Sequence, residues 1–70
     1  MVFESKCKFL GEENRLSKKG NEYLVVTVMQ GIDVLTIMSD VEINSDFGKE
    51  FVGVFNYDVR FKNLRLVGAK

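Results

Sequence analysis

The segment Glu22–Gln30 constrains the fold of this chain more than any other. It has the alternating pattern of a β-strand, but both of its faces are apolar. One row is Leu24, Val26 and Val28, and the other is Tyr23, Val25, Thr27 and Met29. Such a strand is either covered on both faces or keeps one face for a partner, and a chain of seventy residues has little material for two covering layers. We therefore expect one row to fill the core and the other to remain available.

Four further strands are predicted from alternation and turn residues. They are Val2–Leu10, Ile32–Ser39, Phe51–Phe55 and Val59–Val67. In the first, Cys7 and Phe9 share a face with Phe3 and Ser5, opposite Glu4, Lys6 and Lys8. In the last, Leu64 and Leu66 share one face. A residue period of two with charge on one side is typical of half-buried strands.

Polar segments separate these strands. The polar composition of residues 11–21 predicts a loop or an extended wing, and that of residues 40–50 predicts a loop with one turn at its start. Gln30-Gly31 and Asn56–Asp58 are expected to be turns, Gly53 a bulge or sharp bend, and residues 68–70 a tail.

Five short strands without proline predict one domain over residues 1–70, an all-β, small five-stranded OB-fold-like antiparallel barrel. Closing the sheet removes edge strands, so apolar strands need little edge protection. An SH3-like barrel has a similar strand count and stays open as an alternative. The interior is expected to take Phe3, Phe9, Phe51 and Phe55, because small barrels need large apolar side chains.

Composition argues against catalysis. The chain has no histidine and a single cysteine, so the commonest general base, any zinc-ligand spacing and an internal disulfide are all missing. We predict a protein without enzymatic activity, metal or cofactor, in which Cys7 is a small buried hydrophobe. No apolar run approaches the ~20 residues that span a bilayer, and Met1–Lys6 lacks a signal peptide's apolar core. The expectation is a reduced, cytoplasmic setting without a membrane partner.

Basic and aromatic residues suggest a surface that binds nucleic acid. Arg15, Lys18 and Lys19 cluster just before Tyr23, and Tyr57 precedes Arg60 and Lys62. Single-stranded nucleic acid is held by aromatic side chains that stack bases and by cations that contact phosphates. Against this, ten basic residues balance ten acidic ones, whereas nucleic-acid binders are normally basic. Tyr23 has an equally open interpretation as a half-buried residue that caps the barrel.

Two segments resemble a known family. The segment Ser17–Tyr23 and the ending Asn63–Lys70 are similar to parts of the helix-destabilising, single-stranded-DNA-binding proteins of filamentous phages. In that family the first piece reads Ser-Arg-x-Gly-x-x-Tyr and the chain ends Arg-Leu-Arg-Leu-Val-Pro-Ala-Lys. Residues 34–40 also resemble the family's third strand.

The resemblance implies a five-stranded barrel that forms homodimers and coats single-stranded DNA during replication of a phage or other mobile element. By position, Lys18 corresponds to a DNA-contacting arginine, Tyr23 to a base-stacking tyrosine, and Val25 to the apolar residue beside it. Arg15 would be a second cation of the wing, and Arg65 matches an arginine of the ending. The family's last hairpin carries a stacking aromatic, for which Tyr57 is the nearest candidate.

Two family cations are missing, because Thr36 stands where the family has lysine and Asn63 where it has arginine. The sequence therefore predicts non-catalytic binding of single-stranded DNA with little sequence preference, and leaves RNA open as a partner. The alternative is a protein-interaction or oligomerisation module in which the row Val25, Thr27 and Met29 forms a subunit interface.

Overall fold

The computed structural model describes all residues, 1–70, and contains five β-strands. They are β1 (Val2–Leu16), β2 (Glu22–Gln30), β3 (Asp33–Ser39), β4 (Glu50–Asp58) and β5 (Asn63–Ala69). No helix that could cross a bilayer is found in the structure.

The strands form a closed barrel in the order β1-β2-β3-β5-β4, with β4 pairing back onto β1. All neighbours are antiparallel except β3 and β5, which run parallel and pair only through Met38 and Ser39. This confirms the prediction of an all-β, OB-fold-like barrel of five strands.

The predicted inner row of β2 lies in the core. Val26 and Val28 are fully buried, and Leu24 packs against the same cluster. The other buried members of the cluster are Cys7, Phe9, Phe55 and Leu66. Burial raises the pKa of the Cys7 thiol, opposed in part by a backbone hydrogen bond with Gly53. Cys7 therefore packs as a neutral hydrophobe, as expected from the sequence.

The four phenylalanines predicted for the interior differ in burial. Phe9 and Phe55 are buried, and Phe51 is half-buried against the core. Phe3 is more exposed, because β1 begins at the rim of the barrel, where its ring stacks on that of Phe55 with centroids 5.4 Å apart.

The loop between β3 and β4 closes one end of the barrel. Ile43 packs against the core, and the Glu12 carboxylate accepts the backbone N–H groups of Ile43 and Asn44 at 3.1 and 3.0 Å. The Gly48 N–H donates to the carbonyl of Phe9. The loop has its hydrogen-bonded turn at its end, where the Lys49 N–H donates to the carbonyl of Asp46, and not at its start as predicted.

The prediction of a loop from Gly11 was wrong for residues 11–16. β1 continues to Leu16 and pairs with β2 as far as Glu22, so these polar residues form a hairpin arm that extends the sheet. Residues of the arm are largely exposed on both faces, which explains why no apolar alternation marks them as a strand.

The last hairpin also differs from its prediction. Residues 56–58, predicted as a turn, belong to β4, and the turn is Val59–Lys62, predicted as strand. The Asp58 carboxylate accepts the N–H groups of Arg60 and Phe61, so Asp58 caps the turn that follows it.

Gly53 is not a bulge. It pairs regularly with Ser5 of β1, and the irregularity between β4 and β5 lies between Val54 and Phe55, where Val67 has no partner. The glycine is needed for space, because a Cβ atom at this position would lie 2.8 Å from Cε2 of the Phe55 ring.

Candidate nucleic-acid interface

A β-bulge in β1 determines which side chains of the hairpin arm face outward. Phe9 pairs with Val28 and Gly11 with Thr27, so Leu10 is an extra residue. Before it the even-numbered residues of β1 face outward, and after it the odd-numbered ones do. Arg15 therefore lies on the same outer face as its partner Tyr23.

That outer face carries a groove of about 580 Å³ at the base of the arm. Its lining combines polar residues of the arm with the outer rows of β2 and β3: Arg15, Ser17, Asn21, Glu22, Tyr23, Val25, Thr36 and Met38. Three residues predicted for the site, Arg15, Tyr23 and Val25, thus meet in one place.

The floor of the groove is apolar. Val25 is only 4% exposed and pairs with Met38, which is 42% exposed. Tyr23 is half-buried and occupies the outward-facing position of β2 two residues before Val25. The accessible apolar surface is therefore supplied by Tyr23 and Met38, with Val25 beneath them.

The arm ends in a tight turn that holds two lysines away from the barrel. The N–H of Gly20 donates to the carbonyl of Ser17 at 2.9 Å, and the Asn21 N–H donates to the Ser17 hydroxyl at 3.2 Å. Gly20 has φ +85°, a conformation that favours glycine. Lys18 and Lys19 lie at the two central positions of this turn, and neither forms an ion pair.

Acidic side chains reduce the positive charge at the groove itself. Arg15 is ion-paired with Glu13 at 2.6 Å, and this pairing, with a smaller contribution from Tyr23, raises the pKa of the guanidinium. Glu22 also lines the groove. The free positive charge is therefore on the turn, at Lys18 and Lys19, more than in the groove.

Arg65 lies beside the groove and does not line it. Its backbone pairs with that of Met38, but its guanidinium is ion-paired with Asp40. Thr36 lines the groove, and its hydroxyl lies 3.2 Å from that of Thr27 across the strands.

Tyr57 lies outside the groove. It is half-buried in β4, pairs with Leu64, and donates its backbone N–H to the carbonyl of Met1. The exposed aromatic of the last hairpin is Phe61, 75% exposed in the β4–β5 turn, with the Arg60 guanidinium 5.6 Å from the ring centroid.

Sequence reasoning therefore missed Met38 and Phe61 as surface residues. Met38 was missed because the turn was predicted at Gln30-Gly31, whereas it is Gly31–Ile32, and counting outward from the observed turn places Met38 opposite Val25. For Phe61 the sequence held no signal, because Val59–Val67 has a strand-like composition. Only the hydrogen bonds to the Asp58 carboxylate show that the first residues of this segment form a turn.

No group of three or more cysteine and carboxylate side chains is arranged to hold a metal ion. Comparison with protein-family models, with curated proteins and with solved structures finds no match for this chain.

Proposed function

We propose that this protein binds single-stranded DNA without catalysis and with little sequence preference. In this proposal a base stacks on Tyr23 in the groove, with Met38 and Val25 as its apolar surroundings. Lys18 and Lys19 contact the flanking phosphates from the turn, and Arg15 contributes a third cation.

The observation that carries the proposal is the groove, which combines an outward-facing tyrosine with exposed apolar surface below an arm bearing two unpaired lysines. Base stacking with backbone cations is how small barrels hold single strands. The location also fits, because OB-folds bind oligonucleotides on the face of strands 2 and 3 and with the loops between strands 1 and 2 and between strands 4 and 5.

The last hairpin is proposed as an accessory contact. Phe61 and Arg60 are exposed in the β4–β5 turn, whereas the ring of Tyr57 is half-buried. We therefore propose Phe61, and not Tyr57, as the aromatic side chain of this hairpin that contacts the DNA. The Arg65 side chain would have to exchange Asp40 for a phosphate in order to take part.

Direct titration tests the proposal. The wild-type protein should bind a fluorescent oligo-dT of about twelve nucleotides at low salt, and log K should fall with log salt with a slope of roughly −2 or steeper, because each of at least three phosphate contacts contributes about 0.7. Fluorescence anisotropy at several salt concentrations measures both quantities. Absence of binding at low salt, or binding independent of salt, would contradict the proposal.

Glu13 gives a test in the opposite direction. Because Glu13 holds the Arg15 guanidinium, Glu13→Gln should release this cation for a phosphate. In the wild type Arg15 must give up this ion pair to contact a phosphate, so we expect affinity for oligo-dT to rise by up to about fivefold, the most that an exposed ion pair contributes, with an unchanged salt slope. The control is Glu42→Gln, which removes an exposed carboxylate from the loop at one end of the barrel. An equal gain in both variants would show a general charge effect and would assign no role to Arg15.

The second candidate function is assembly of copies of this chain into a homodimer. It is favoured by the exposed apolar end of the β2–β3 hairpin, where Ile32 is 96% and Val34 57% exposed beside Met29. Val25, at 4% exposure, would add little contact area to such an interface. Sedimentation with and without oligo-dT separates the functions, because a tight oligomer indifferent to DNA favours assembly alone.

A further inference from the structure

The groove at Tyr23 is one of three concavities in the protein, and the other two continue along the same strands. The next, of about 300 Å³, is lined by Leu10, Gly11, Glu12, Glu13 and Thr27. The last, of about 310 Å³, is lined by Lys6, Cys7, Lys8, Met29, Gly31 and Glu50. Together they follow β1 and β2 from the arm to the far end of the β2–β3 hairpin.

Strand register places these concavities on one outward face. Successive outer positions of β2 are Tyr23, Val25, Thr27 and Met29, facing Arg15, Glu13, Gly11 and Lys8 of β1. The path from Tyr23 to Met29 covers six residues, which is about 20 Å at roughly 3.3 Å per residue. At about 3.4 Å per stacked nucleotide this is the length of roughly six nucleotides.

The middle of the path is open and polar. Gly11 has no side chain, and a Cβ atom built on it would meet nothing within 4 Å. The hydroxyl groups of Thr27 and Thr36 lie beside it and bond to each other. Glu12 and Glu13 also line this concavity, but Glu12 accepts two backbone N–H groups of the β3–β4 loop and Glu13 is paired with Arg15. This leaves Gly11 and Thr27 as the open route from the groove towards Lys8.

The far end of the path carries cations that the groove lacks. Lys6 and Lys8 are exposed, and neither forms an ion pair, although Glu50 pairs with Lys8 across the backbone ladder. This concavity therefore offers two ammonium groups against one carboxylate. Exposed ammonium groups along a face of this kind attract the phosphates of a polynucleotide.

We propose that the DNA strand bound at Tyr23 runs along Gly11 and Thr27 to a second phosphate-binding site formed by Lys6 and Lys8. This inference rests on the proposed function and extends its site to the full length of the β1–β2 face. In this arrangement Lys6 and Lys8 contact long strands only, because a short oligonucleotide bound at Tyr23 does not reach them.

The test compares wild type with Lys6→Gln/Lys8→Gln on oligo-dT of about twelve and about four nucleotides. Losing two contacts of about 0.7 each should lower affinity for the long strand roughly 25-fold at about 0.1 M salt and reduce the salt slope by about 1.4. Affinity for the short strand should stay within about twofold, since only the groove is then occupied. The control is Lys49→Gln, an unpaired lysine that lines none of the three concavities.

Three results would overturn the inference. They are unchanged binding of the long strand, an equal loss for both lengths, and an equal loss in the Lys49 control. If Tyr23→Ala still weakens binding in those cases, the proposed function stands while its extension fails. If the wild-type protein binds neither length, the proposed function itself fails.

Discussion

Replacing Tyr23 with alanine is expected to lower the affinity for oligo-dT by ~1–3 kcal/mol, which is roughly a 5- to 150-fold loss. The reason is that Tyr23 is the only aromatic residue lining the groove, and an alanine at this position leaves no ring for a base to stack on. Fluorescence anisotropy on the long oligonucleotide measures the change at fixed salt.

The matched control for this prediction is Tyr23→Phe, which keeps the ring and removes the hydroxyl. It should retain affinity within about threefold, because stacking depends on the ring face. Urea unfolding of both variants checks that the half-buried position tolerates the changes. Alanine and phenylalanine variants with equal affinity would remove Tyr23 from the binding mechanism.

Replacing Gly53 with alanine is expected to destabilise the fold by about 1–3 kcal/mol. The added Cβ would lie 2.8 and 2.9 Å from Cε2 and Cζ of Phe55, and 3.2 Å from Cδ1 of Leu66. Both neighbours are core residues, with Phe55 2% and Leu66 0% exposed, so neither ring nor methyl group has free space to move into. Urea denaturation measures the free energy of unfolding.

Gly68→Ala is the control for Gly53. A Cβ at Gly68 would lie 3.5 Å from Cβ of Val54, an ordinary contact, so the variant should be neutral or slightly more stable through a less flexible unfolded chain. Adding Phe55→Leu to Gly53→Ala should cost less than the two single changes together, because the smaller side chain frees the space that alanine needs. Additive losses would show that contact with Phe55 is not the reason for the glycine.

The zero net charge of the chain affects the salt dependence expected for the proposed DNA binding. With ten basic and ten acidic residues, the chain has no overall attraction for a polyanion. Affinity must then come from local placement, in which free lysines outnumber free carboxylates on the outer face, although Glu22 and Glu50 also lie there. Glu12 tethers a loop, and Asp58 caps a turn. A shallow salt dependence is the consequence, with stacking as a large share of the binding energy.

Several features of the fold follow from local pattern alone. The two apolar rows of β2 predict a strand with one face in the core, because side chains alternate along any strand. The predicted burial of Cys7 and Phe9 is confirmed for the same reason.

Errors occurred where a strand is stabilised by its neighbours and not by its own alternation. Residues 11–16 are polar, and they form a strand because β2 supplies the hydrogen-bonding partner. Residues 56–58 resemble a turn, yet all three pair with β5, and Asn56 also pairs with Val2 of β1. Backbone pairing across the barrel overrode the local preference in both segments.

The sequence by itself determined a small all-β domain with a basic turn ahead of a tyrosine-bearing strand, since alternation and turn residues are local properties of the chain. Only the tertiary structure decided that Arg15, Tyr23, Val25 and Met38 share a groove, that Glu13 and Asp40 hold the two arginines beside it, and that Phe61 is exposed in place of Tyr57. The physical reason is that one extra residue at Leu10 reverses which side of β1 faces outward, and closure of the barrel then fixes which strands are neighbours.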